Sequence, residues 1–287
     1  MTVDEQLLYE SRVRMRQAVI AALAGIFLVG AAALQLTGPH TKVDELTLDL
    51  ITAHKRFPID VIGAVLNGIG LCALAATLAF LVDITRARNA DVRPWMRWLA
   101  IVGGVLAALS GVVYAIVIAG KADTFVSHGS QTYEQANHLT SATGLLALPF
   151  IGQAAALLLA VGFVLIALQA MRVGLLTRFM GYLGIFTGVL VLFPIGSPVP
   201  VVQGFWLLAL AYLFSGRWPN GVPPAWRSGQ AEKWPSSAEL REQRTRAGGG
   251  GGGRSKPSPK AAPEAVGAPA AARTRASTGK RKRKRRR

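Results

Sequence analysis

The chain has 287 residues, of which 51% are hydrophobic and 16% charged, with a mean hydropathy of +0.36. Soluble globular proteins carry about 25% charged residues, so this chain has too few to cover a water-facing surface. The net charge of +17 is unevenly placed, with residues 216–287 holding 19 of the 32 Lys and Arg but 4 of the 15 Asp and Glu. An ordinary cytosolic enzyme is excluded. The single Cys72 excludes an intramolecular disulfide and a cysteine-cluster metal site.

In chain order, a short segment, residues 1–16, carries Arg12, Arg14 and Arg16 ahead of an apolar run at about 17–36. Followed by Ala31-Ala32-Ala33, this pattern also resembles a cleavable signal peptide. The run is longer than a usual signal core, and Asp4, Glu5 and Glu10 dilute the basic segment. It is therefore read as a retained first span; cleavage would leave five. Next, Val43, Leu46, Leu50, Ala53 and Phe57 recur at helical spacing. They predict an amphipathic helix on the outer leaflet or capping the bundle.

Further apolar runs follow at about 60–82, 98–120, 143–169, 179–197 and 199–215. A helix needs about 20 apolar residues to cross a hydrocarbon core of about 30 Å, and the first four of the six runs satisfy that outright. Gly196-Ser197-Pro198-Val199-Pro200 separates the last two, which are read as a helical hairpin because proline cannot carry a helix through the turn. Pro149 predicts a kink in the fourth span. The expected fold is all-α, a six-helix transmembrane bundle over 17–215.

Arg86, Arg88, Arg93 and Arg97 fall between the second and third runs, and Arg172 and Arg178 between the fourth and fifth. The alternate loops mix Lys42, Lys55, Arg56 and Lys121 with Asp44, Glu45, Asp49, Asp123 and Glu134. The positive-inside rule then places both termini in the cytoplasm of a plasma-membrane protein.

Gly103, Ala107 and Gly111, and again Gly181, Gly184 and Gly188, form small faces suited to close helix packing. They serve either the bundle itself or a homo-oligomer. Four uncharged polar residues, Asn67, Tyr114, Gln153 and Gln203, fall on the outer half of the spans. They are candidates for an outward-facing polar pocket; interhelical hydrogen bonding is the alternative. No ionisable side chain lies at depth, which counts against a proton relay. His40, His54, His128 and His138 all fall in the two outer loops, without metal-ligand spacing. No nucleophile elbow, phosphate loop or dinucleotide motif is present, so the sequence predicts no catalytic site, cofactor or metal.

Beyond the last run, residues 216–247 form a Trp- and Pro-rich juxtamembrane segment in which Trp218, Trp226 and Trp234 recur every eight residues. Indole rings prefer the headgroup region, so these three, with Trp95 and Trp98, are expected at the inner interface, the segment in irregular form. Residues 248–287 begin with six glycines and end in eight unbroken cations: Lys280, Arg281, Lys282, Arg283, Lys284, Arg285, Arg286 and Arg287. Such a composition predicts a disordered tail that binds anionic lipid or nucleic acid.

The segment Gly174-Leu175-Leu176-Thr177-Arg178-Phe179-Met180-Gly181-Tyr182-Leu183-Gly184, with Trp218-Pro219-Asn220-Gly221-Val222-Pro223-Pro224-Ala225-Trp226, resembles a multi-pass integral-membrane family of high-GC Gram-positive bacteria, a domain of unknown function. The likeness covers about residues 10–240 and implies location and architecture, without assigned functional residues; the tail beyond 247 looks like an extension outside the family pattern. The leading functional expectation is a non-enzymatic membrane protein whose tail engages polyanions. The alternative is a small-molecule permease or binding protein. Expected partners are the bilayer, anionic lipid or nucleic acid and a second copy of the chain; no protein partner is defined.

Overall fold

The computed structural model describes residues 3–39, 45–128, 130–141, 143–192, 200–219 and 222–232, together with Arg241 and Thr245. The chain divides into one compact unit, Met1–Pro235, and a second, Ser236–Arg287. Of the second, the Thr245 hydroxyl donates to the Arg241 carbonyl at 2.8 Å. The run of eight cations, the glycine run and Trp234 lie outside the described residues.

The described residues of the first unit are all-helical, without a strand. The helices are α1 (Val3–Gln35), α2 (Leu46–Arg56), α3 (Ile59–Arg88), α4 (Trp95–His128), α5 (Tyr133–Thr140), α6 (Thr143–Arg172), α7 (Arg178–Leu192), α8 (Val201–Phe214) and α9 (Pro224–Ser228). Four of them, α1, α3, α4 and α6, are long and apolar enough to cross a membrane. Helices α7 and α8 are apolar but shorter, and the turn expected between them at 196–199 lies outside the described residues. Because hydrocarbon offers no partner to a free N–H or C=O, continuous helices are the form in which apolar runs of this length are stable. Helix α6 runs on through Pro149.

Helices α1, α3, α4, α6, α7 and α8 pack as neighbours in that order, and α8 returns to α1. Small residues set these contacts. A Cβ on Gly25 of α1 would stand 3.1 Å from the Gly204 carbonyl oxygen of α8. On α4, a Cβ on Gly103 would lie 2.6 Å from the Leu159 nitrogen of α6, and one on Gly104 as close to the Ala75 side chain of α3. Gly184 and Gly188 of α7 likewise abut Ala167 and Val164 of α6. Without a hydrophobic force between helices in lipid, such close approach supplies dispersion contacts. Gly111 does not share the role: nothing lies within 4 Å of its Cβ position.

The end of the bundle at which α1 begins is closed by polar contacts between distant segments. Arg88, at the end of α3, donates from both terminal nitrogens to the two carboxylate oxygens of Glu10, each at 2.7 Å. Its Nε donates to the Ala225 carbonyl at 3.0 Å. Trp226 of α9 inserts beside this pair, with the Arg14 and Arg88 guanidinium carbons 4.8 and 5.6 Å from its ring centre. The indole N–H donates to the Leu175 carbonyl at 3.1 Å, in the turn between α6 and α7. That turn needs Gly174, whose φ of +81° is left-handed and whose Cβ position abuts the Glu232 carbonyl.

Trp226 therefore corrects the sequence expectation. It is 5% exposed and packs in the main core against Phe214, and residues around it form the short helix α9. The bundle end offers the ring apolar contact, two guanidinium groups and a carbonyl acceptor, which together replace the headgroup environment. Trp95 and Trp98 are 48% and 62% exposed, and Trp218 lies partly buried against Tyr212.

At the opposite end α4 extends well past the apolar run, and α2 and α5 pack around the projection. Leu50 of α2, Ala122 and Phe125 of α4 and Ala136 of α5 form a small second core. The amphipathic spacing read in the first loop corresponds to α2, whose buried Leu50 faces protein.

Candidate functional site: a cavity between α3 and α4

Helices α3 and α4 touch where the Cβ position of Gly68 meets Val112 and Ala108, at 3.2 and 3.6 Å. Toward the α2 end from this point, residues of both helices line a cavity of about 440 Å³. This falls within the usual range of small-molecule sites. Val61, Ala64, Ala115 and Ile118 provide apolar wall, and Ala53 and Arg56 of α2, with Phe57 just beyond it, line the mouth.

Polar groups occupy the two ends. Asp60 and Asn67 are seven residues apart on α3, hence on one face and about 10 Å apart along the axis. At the inner end the Asn67 amide and Tyr114 hydroxyl line the cavity, and no hydrogen bond joins either side chain to another described residue. At the mouth, Arg56 Nε donates to Asp60 Oδ1 at 2.8 Å.

The local sequence explains that arrangement. Helix α1 ends at Gln35, leaving carbonyls without intrahelical partners and a partial negative charge. Arg56 meets one of them and the turn that follows: its terminal nitrogens donate to the Gln35 carbonyl of α1 at 3.1 Å and to the Thr37 and Pro39 carbonyls beyond it at 2.8 and 3.4 Å. The guanidinium is thereby fixed in place with its side chain 8% exposed, whereas that of Asp60 is 38% exposed. Farther out, His54 Nδ1 of α2 lies 3.6 Å from Asp123 of α4.

Of the four polar residues singled out from the sequence, the structure brings together Asn67 and Tyr114 alone. Gln153 and Gln203 do not line this cavity, so the four do not form one pocket. Gly152 packs against Ser110 of α4, which turns the next residue, Gln153, to the exposed face of α6. Gln203 sits on α8 beside Gly204, the residue that seats α8 on α1. Sequence reading missed Arg56, Asp60 and Gln35. The spacing of four between the opposite charges of Arg56 and Asp60 is no helical signal, because the two stand on different helices, α2 and α3.

The histidines do not converge either. His40 lies outside the described residues, and His128 and His138 are exposed on α4 and α5. Among the described residues, no three His, Cys, Asp or Glu side chains come together as metal ligands. No family model, no curated protein and no solved structure matches the chain.

Proposed function

We propose that this is a six-span plasma-membrane protein with both ends of the chain on the cytoplasmic side, and that it binds a small molecule without transforming it. The cavity between α3 and α4 then opens to the exterior. The observation that carries the reading is that Asn67 and Tyr114, polar residues of two long apolar helices, share one cavity of about 440 Å³ without hydrogen bonds to other described residues. An unpaired amide in hydrocarbon is costly, so a position facing a cavity where a ligand can satisfy it is favoured. The orientation rests on the basic loops at 86–97 and 172–178. Counting α7 and α8 as spans rests on their apolar composition. Membership of the multi-pass family of high-GC Gram-positive bacteria belongs to the same proposal and rests on the 174–184 and 218–226 motifs.

A second reading concerns the cationic run Lys280–Arg287, which suits attachment to anionic lipid or nucleic acid on the cytoplasmic side. It is compatible with the first, because it uses a different part of the chain.

The test of the cavity is labelling of intact cells with a membrane-impermeant thiol reagent. With Cys72 replaced by Ala, Ala115→Cys on the cavity wall should react from outside, and Val65→Cys on the exposed face of α3 should not. An unreactive Ala115→Cys in a correctly folded protein would sink the outward-facing cavity.

A further inference from the structure

The ligand's chemistry follows from how the charges around the cavity are already committed, and this inference rests on reading the cavity as a ligand site. Arg56 is the one cation among the lining residues. Its Nε is taken by Asp60, and its terminal nitrogens by the Thr37, Gln35 and Pro39 carbonyls. The guanidinium charge is thus offset by a carboxylate and by the negative end of the α1 dipole. Asp60 is less fully used. Oδ1 accepts from Arg56, Oδ2 has no partner among the described residues, and the side chain remains 38% exposed. The mouth therefore presents a carboxylate oxygen without a partner among the described residues. Among the described lining residues, an anionic ligand would meet the Asp60 carboxylate and no cation other than the committed Arg56.

We propose that the cavity takes an elongated organic cation, with a protonated amine at the mouth held by Asp60 Oδ2 and an uncharged polar group at the inner end. There the Asn67 amide and Tyr114 hydroxyl both donate and accept, which suits a hydroxyl, carbonyl or amide. The aliphatic middle of the ligand lies against Val61, Ala64, Ala115 and Ile118. Asp60 sets the sign of charge, and Asn67 and Tyr114 set the polar end.

The experiment uses the full chain in nanodiscs of net-neutral lipid, with empty nanodiscs as blank and ligand-detected NMR as readout. The probes are ω-aminohexanol, terminal hexanediol and ω-hydroxyhexanoate, matched in length and differing in charge at one end. Aminohexanol is expected to bind about tenfold more tightly than the diol, the increment of a charge-assisted hydrogen bond, and hydroxyhexanoate most weakly. Asp60→Asn should bring the amine down to the diol, Asp60→Glu should retain the preference, and Asn67→Ala should weaken both probes alike. If Asp60→Asn does not fold, the wild-type charge series and Asp60→Glu still decide. Equal binding of the three probes overturns the cation assignment and leaves the site in place. No binding by any of them overturns the proposal, and labelling of Ala115→Cys then shows whether the site reading falls with it.

Discussion

Arg88 holds Glu10 through two parallel bonds of 2.7 Å across 78 positions of sequence, with side chains 0% and 4% exposed. The pair fastens the start of α1 to the end of α3, and the Ala225 carbonyl completes the guanidinium's coordination at 3.0 Å. Gln6 also donates to Glu10 at 2.9 Å. Bidentate geometry and nearly full hydrogen bonding are the conditions under which a buried ion pair is tolerated.

Breaking that pair from one side should be costly. Arg88→Met leaves the Glu10 carboxylate buried without its cation, with an expected loss of about 3–5 kcal/mol. Replacing both, Arg88→Met with Glu10→Leu, should recover most of it, because two well-packed apolar side chains remove the desolvation cost. Reversible unfolding in mixed micelles measures both. A single variant as stable as the parent would mean that the ion pair does not hold this end closed.

Trp226 is the second element of the closure, and its prediction separates a buried indole from an interfacial one. Trp226→Ala should cost about 3–5 kcal/mol, as for other large aromatic deletions from a core, and should expose residues 217–232 to protease. Trp95→Ala and Trp98→Ala, at exposed positions, should leave unfolding within about 0.5 kcal/mol of the parent. Similar losses at all three positions would contradict the burial described for Trp226.

Two glycines of one stripe should respond in opposite ways. Gly103→Ala places a methyl 2.6 Å from the Leu159 nitrogen, a backbone atom that cannot turn aside. The expected loss is about 1–3 kcal/mol, as for overpacking elsewhere. Gly111→Ala meets nothing within 4 Å, and the higher helix propensity of Ala should make it neutral or stabilising by about 1 kcal/mol. A loss at Gly111 in a detergent-solubilised monomer would count against the open position described here.

What the sequence disclosed and what it hid divide along chain separation. Apolar runs mark the long helices because hydrocarbon permits few alternatives, and Asn67 and Tyr114 stand out because they interrupt such runs. The Glu10–Arg88 pair leaves no local trace: each residue reads as a terminal charge, and the contact exists only once α1 and α3 are side by side. Trp226 misled for a related reason. A Trp among Pro, Gly and basic residues has the composition of a headgroup anchor, and its burial depends on Arg14, Leu175 and Phe214, all remote in sequence. Gln153 failed as a pocket residue because depth along a helix says nothing about which way the side chain faces. Arg56 was hidden by its own charge, since it looks like any loop cation until the end of α1 comes within reach.

The cationic run Lys280–Arg287 supports one further prediction, independent of the cavity. Each Lys or Arg beside an anionic leaflet contributes about 1 kcal/mol, so eight set an upper limit of about 8 kcal/mol, reduced by mutual repulsion and by ordering of the chain. The full protein in neutral nanodiscs should therefore recruit anionic liposomes, and deletion of 280–287 should weaken recruitment strongly while neutral liposomes remain unbound throughout. Duplex DNA offered as competitor should displace the liposomes, with log K falling by about 0.9 per log unit of salt for each phosphate neutralised. The salt series carries the decision. Screening shortens the reach of exposed charges to about 8 Å at physiological ionic strength, so an electrostatic attachment must weaken steeply with added salt. Recruitment that persists unchanged in high salt, or that neutral liposomes match, would mean that these eight residues do not act as a polyanion-binding segment.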